Sequence, residues 1–162
     1  MSSIHDLIGG GAFKVSSQWD HSIEGNSPEI DFINLAGSNE IFIYHRQLTK
    51  SVTGTVRPHV SVDNGATFFN TSGDYQSVEQ TGVTSNSASG GDLHSTNATA
   101  ARDGWLWIVK NFSPPLIRSN QLTALNWVGR VFLASASEIN AVRLLPSGGG
   151  NFTGGVVSCY IR

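Results

Sequence analysis

Apolar residues in this chain come as short β-branched and aromatic runs separated by Gly-, Asn- and Ser-rich turns, and they nowhere sustain a 3.6-residue period. That pattern argues against a helical bundle and directs the chain toward antiparallel sheets. Ile30 to Leu35 reads as a strand ending in the turn Ala36 to Asn39, and Glu40 to Leu48 as a central strand. Between Thr53 and Val62, Val56, Pro58, Val60 and Val62 alternate with Thr55, Arg57, His59 and Ser61. This is a half-buried strand, and its proline, which cannot donate to a ladder, puts it at an edge or a bulge. Asp63-Asn64-Gly65 tolerates positive φ, so a hairpin returning through Ala66 to Phe69 is expected.

Thr81 to Ala101 is the most polar stretch and reads as a long exposed loop. Gly104 to Lys110 returns to strand before Pro114-Pro115. Leu116 to Leu125 is ambiguous, whereas Trp127 to Ala134, Ile139 to Leu145 and Val156 to Ile161 read as strands. Single helical turns fit Ser3 to Ile8 and Ser135 to Glu138. The expected fold is all-β, an antiparallel β-sandwich or jelly roll of about eight to ten short strands.

A chain of 162 residues suits one domain. The run Gly9-Gly10-Gly11 marks a hinge, so residues 1–15 are expected as an anchoring segment and residues 16–162 as the sandwich; a frayed tail is the alternative for the first. Charged residues make up only 14%, and the net charge is −2. Without a cationic stripe to displace counterions, a nucleic-acid partner is not expected. No apolar run approaches the ~18 residues of a membrane-spanning helix, so membrane insertion is not expected. The N-terminus lacks the basic leader and apolar stretch of a secretory signal. Cys159, the single cysteine, cannot form an intrachain disulfide and is expected as a buried, inert thiol.

Reactive constellations are sparse. The five histidines form no His-x-His or His-x-x-x-His pair, although His45 and His59 lie on neighbouring expected strands and could meet across a pair. Asp20-His21 and Asp92-Leu93-His94 place a carboxylate beside an imidazole, but no Gly-x-Ser-x-Gly elbow accompanies them. Asp63-Asn64-Gly65 stops short of a calcium loop, and neither glycine triplet leads into a phosphate-binding helix with its lysine. No catalytic residue, metal or cofactor is expected, so the chain is not expected to be an enzyme.

Trp105 and Trp107 stand two residues apart and share one face of a strand. The expectation is that both fill the core. The alternative is an exposed platform for a sugar ring, with Asp92 and His94 of the polar stretch as further candidate glycan-binding residues. Because Leu106 and Ile108 make the other face apolar as well, a neighbouring chain is expected to cover one side, giving a homo-oligomer.

The segment Ile139-Asn140-Ala141-Val142-Arg143-Leu144-Leu145-Pro146, a glycine run, and then Asn151-Phe152-Thr153-Gly154-Gly155 leading to Tyr160-Ile161 resembles the closing hairpin of small β-sandwich modules of tailed-bacteriophage virions. In those modules a strand Ile-x-x-Ile-x-Leu-x-Pro precedes a Gly-Asn-Phe-x-x-Gly loop and a closing Tyr-Gly-Ile strand; here Tyr160 is followed directly by Ile161. Ile30 to Leu35, Ile41 to Tyr44 and the Asp63-Asn64-Gly65 turn follow the same modules' opening order, so the resemblance spans residues 28–161.

The resemblance implies a virion structural protein, a capsid or tail decoration or spike component made in the host cytoplasm and docked to other virion proteins. It carries no catalytic residues to transfer. Ile4, Leu7, Ile8 and Phe13 are the candidate anchors to a neighbouring subunit. A glycan-binding module for host attachment at a fibre or spike is the second reading, and a polysaccharide hydrolase the third.

Overall fold

Strand β3 (Glu40–Lys50) shows how the sheets are made. Ile41, Ile43 and Leu48 are fully buried on one face, while Phe42 and Tyr44 alternate onto the other. Strand β7 (Arg102–Val109) repeats the pattern beside it, with Leu106 and Ile108 inward and Trp105 and Trp107 outward. The computed structural model describes residues 12–71, 73–78, 84–87, 100–121, 124–132 and 137–162. These residues form eleven strands and one four-residue helix, α1 (His21–Glu24). None of their helices is long and apolar enough to cross a membrane.

The larger sheet has eight strands. In spatial order they are β1 (Lys14–Asp20), β11 (Phe152–Ile161), β3, β7, β8 (Leu116–Gln121), β9 (Ala124–Phe132), β5 (Tyr75–Val78) and β6 (Thr84–Ser87). The smaller sheet is β2 (Ile30–Phe32), β10 (Ala141–Pro146) and β4 (Val56–Ser61). All pairings are antiparallel. Phe32, Val56, Val60, Val142 and Leu144 from the small sheet meet Ile41, Ile43, Leu106, Ile108, Ile117, Val157 and Cys159 from the large one. Fully burying each such aliphatic or aromatic side chain contributes about 1.5–3 kcal/mol before chain entropy is set against it. The chain is an antiparallel β-sandwich.

Several local expectations need correction. β4 is an edge strand, as Pro58 required, but Ala66 to Phe69 is not a returning strand. The chain does turn at Asn64 (φ 60°) and Gly65 (φ 91°), and one bond, Phe69 N–H to the Val60 carbonyl at 3.0 Å, closes it. The Tyr75 hydroxyl does the rest: it accepts from Val60 N at 2.9 Å and donates to the Phe69 carbonyl at 3.0 Å. Inside the expected loop Thr81 to Ala101, residues Thr84–Ser87 pair with β5 as an edge strand. Its residues, Thr-Ser-Asn-Ser, include no apolar one to signal a strand. β1 was not anticipated, since only Val15 and Trp19 are apolar in it, and Val15 is 61% exposed.

The histidine pair is not formed. His45 lies in the large sheet opposite Gly104 and Val157, while His59 lies in the small sheet opposite Arg143. His45 donates from Nδ1 to the Arg102 carbonyl at 3.1 Å and is fully buried. Ser3 to Ile8 lies outside the described residues, as do Ser135 and Ala136 of the second expected helical turn. The helix that does form begins at Asp20, whose carboxylate accepts from Ser22 N at 2.9 Å in an N-cap. Cys159 is buried, and burial pushes its thiol up to about 12.

Candidate functional site

The outer face of the large sheet carries a cluster of aromatic side chains, Phe42, Tyr44, Trp105, Trp107 and Tyr160. Register puts these side chains in rows across neighbouring strands. One row runs Val15, Tyr160, Phe42, Trp107 and Arg118; the next runs Gln18, Ser158, Tyr44 and Trp105. Asp20, Val156 and Arg46 form the start of a third. Phe42 stacks on Trp105 with ring centroids 6.2 Å apart and an interplanar angle of 29°, and it meets Tyr160 at 6.3 Å.

This overturns the expectation that Trp105 and Trp107 fill the core. Both stand on the outward face and are half-buried, and Leu106 and Ile108 take the inward positions between them. The pairing with β3 decides the side: Leu106 lies opposite Ile43 and Ile108 opposite Ile41, two residues in the core between the sheets. Trp107 is pinned at the rim, its Nε1 donating to Glu40 Oε2 at 2.8 Å, while Arg162 pairs with the other oxygen of that carboxylate.

Phe13, expected to reach a neighbouring subunit, is instead buried against its own sheet. Its ring lies 6.1 Å from Phe42 and the Arg162 guanidinium sits 4.9 Å above it. The other candidate anchors, Ile4, Leu7 and Ile8, and the candidate glycan-binding residues Asp92 and His94, lie outside the described residues.

Beside the aromatic rows, β1, β11 and β3 enclose a depression of about 290 Å³. Tyr44, Tyr160 and Val156 give it apolar walls, and Gln18, Asp20, Arg46 and Ser158 line it with polar groups. A pair of facing bulges aims Arg46 into it. β3 shifts register between His45 and Leu48, with Gln47 at φ 51°, and β11 shifts around Gly154, with Gly155 at φ 100°. Asp103 Oδ1 takes the freed Gln47 N–H at 2.6 Å and so fixes the bulge.

The polar groups are partly spent. Ser158 Oγ donates to Gln18 Oε1 at 3.1 Å, and Asp20 Oδ1 accepts from Ser22 N and Ser22 Oγ at 2.9 and 2.7 Å. Those Ser22 bonds hold the Asp20 carboxyl below the usual carboxylate range. Left over are Asp20 Oδ2, the Gln18 amide N–H groups, the Arg46 guanidinium and the two phenols, to which the structure gives no hydrogen bond among the described residues. Burial, and then the Asp103 charge, raises the Tyr44 phenol. Among the described residues, no three His, Cys, Asp or Glu side chains converge as a metal site would require.

Sequence reasoning found Trp105 and Trp107 but missed Gln18, Asp20, Tyr44, Arg46, Ser158 and Tyr160. Their signal is only a crossing: β11 lies between β1 and β3, so residues from both ends of the chain become neighbours.

No protein-family model matches the chain, and no curated protein matches it. Solved structures similar to it in outline include an agglutinin and a protein of unknown function. CG-16, a homodimeric agglutinin from chicken liver, aligns at a TM-score of 0.44 and 8% identity, covering 81% of this chain and 98% of that one. A functionally unknown protein from Saccharomyces cerevisiae aligns at 0.34 and 10% identity, covering 83% of this chain and 70% of its own. At these scores neither bears on what this chain binds.

Proposed function

We propose that this chain is a structural module displayed on the surface of a tailed-bacteriophage virion, a non-catalytic body on capsid or tail that docks to neighbouring virion subunits. The observation that supports it is where the resembling segments lie. Residues 30–35 and 41–44 supply β2 and the first half of β3, and the turn at 63–65 follows β4; residues 139–161 supply β10 and β11. β10 sits between β2 and β4, making up the whole small sheet, and β11 pairs with β3. The resemblance therefore falls on one interlocked substructure rather than on scattered turns.

Physical chemistry favours the same role. With 14% charged residues, subunits can pack closely without stripping water from many ions. A homo-oligomer repeated around a symmetric particle turns a weak contact at each site into high avidity. Among the described residues one carboxylate, Asp20, lines the depression, whereas glycosidic hydrolysis uses two acids about 5–9.5 Å apart. The test is composition: mass spectrometry of gradient-purified particles of the encoding phage should find this chain at stoichiometric copy number. Its absence from the particle would overturn the reading. Leu7→Asp with Ile8→Asp should abolish incorporation while leaving the domain folded if the segment that carries Ile4, Leu7 and Ile8 is the anchor.

A second reading, a receptor-recognition module for host-surface glycan at a fibre or spike, is favoured by one observation. Trp105 and Trp107 stand on the outer face beside a polar depression instead of in the core.

A further inference from the structure

We infer that the depression bounded by β1, β3 and β11 is a subsite for a neutral hexopyranose, the sugar ring packed against Tyr44 and its hydroxyls held by Asp20, Arg46 and Gln18. The inference rests on the receptor-recognition reading and adds to it the place and the ligand class.

Three features carry it. The first is size, since about 290 Å³ is at the small end for organic-ligand sites and suits one ring rather than a peptide. The second is the polar inventory. A sugar hydroxyl donates and accepts at once, so neighbouring hydroxyls need an acceptor set beside a donor. Asp20 Oδ2 is the acceptor, and the Arg46 fork with the Gln18 amide supplies the donors, all three on one depression and without a hydrogen bond at those atoms among the described residues. The opposed charges also define the ligand: Asp20, kept ionised by its Ser22 bonds, repels an anion, and Arg46 repels a cation.

The third feature is the wall. Tyr44 and Tyr160 line the depression; Phe42, itself stacked on Trp105, braces the Tyr160 ring, and Tyr44 lies opposite Trp105 across β3 and β7. Such a face packs against the C–H side of a pyranose, and the bracing means little rotamer freedom remains to be lost on binding. The Gly155 and Gln47 bulges set the backbone from which Arg46 reaches the depression.

The experiment uses the full chain on an array of neutral hexose-terminated oligosaccharides, printed with sialylated and uronate-containing glycans. Calorimetry follows with the best neutral binder, on the parent chain and on Tyr44→Ala, Arg46→Ala and Arg46→Lys. Near-UV circular dichroism checks that each variant keeps its packing, and Arg46→Lys guards against loss of fold, since it keeps the charge and removes the fork. Neutral glycans should bind. Tyr44→Ala should weaken binding about threefold to tenfold, and either Arg46 variant should weaken it about tenfold or more. Neutral binding unchanged in folded variants at both positions would overturn the subsite and leave the recognition reading standing. Binding confined to acidic glycans would overturn the ligand class. A blank array would overturn both the inference and the recognition reading.

Discussion

His59 faces a crowd of positive charge. It lies opposite Arg143 across β4 and β10 and two residues from Arg57, while Arg143 is itself held by Asp31 at 2.6 Å and Glu29 at 2.9 Å. Burial first, and then Arg57 and Arg143, lower the His59 imidazole to about 4. The folded value is thus below the unfolded one, so unfolding takes up a proton between pH 6.5 and about 4. Stability should be complete above that window and fall as the pH drops through it. Urea midpoints measured from pH 7.5 to 4.5 should decline in the parent and flatten in His59→Gln; an unchanged slope would show that another group titrates. Tyr75→Phe tests the substitute strand edge. Removing the hydroxyl leaves the Val60 N–H without its acceptor and should cost about 1–3 kcal/mol in chemical denaturation, although the ring itself stays buried.

At the scale of elements, the paired bulges are the most exposed to single substitutions. Gly155 has φ 100°, and a Cβ there would stand 2.7 Å from the carbonyl oxygens of both Arg46 and Gln47. Backbone crowds it on the β3 side, so no side chain can swing away. Gly155→Ala should cost about 1–3 kcal/mol in stability, read from the thermal midpoint. It should also displace Arg46, visible as a shift of its neighbours' amide resonances; a parent-like midpoint and spectrum would refute the account. The elements most legible in the sequence were those with two-residue alternation, such as β3, β4 and β10, because each buries one face. β6, composed of Thr-Ser-Asn-Ser, and β1, with only Val15 and Trp19 apolar, gave no such signal, since neither carries an alternating apolar set. The candidate site was half legible for a related reason. Spacing showed that Trp105 and Trp107 share a face, but β7 is apolar on both sides, so only its pairing with β3 tells inside from outside.

For the whole molecule, the order of strands matters more than any one of them. β11 separates β1 from β3, and β10 separates β2 from β4. Deleting residues 152–162 should therefore strip β1 of its one partner and β3 of one of its two, and leave an unfolded chain by far-UV circular dichroism and proton NMR. A folded, dispersed spectrum would contradict this. Val15→Lys, at the outer edge where the residue is 61% exposed, should leave the unfolding free energy within about 0.5 kcal/mol of the parent, measured by chemical denaturation. Interleaving of this kind also has a consequence in time. While the polypeptide is being synthesised, the early strands have gaps where their mates belong, and those gaps stay open until residues 141–161 have left the ribosome. Until then the nascent chain offers bare strand edges to its surroundings, so its yield in the cell should depend on how quickly translation finishes and whether a chaperone shields those edges meanwhile.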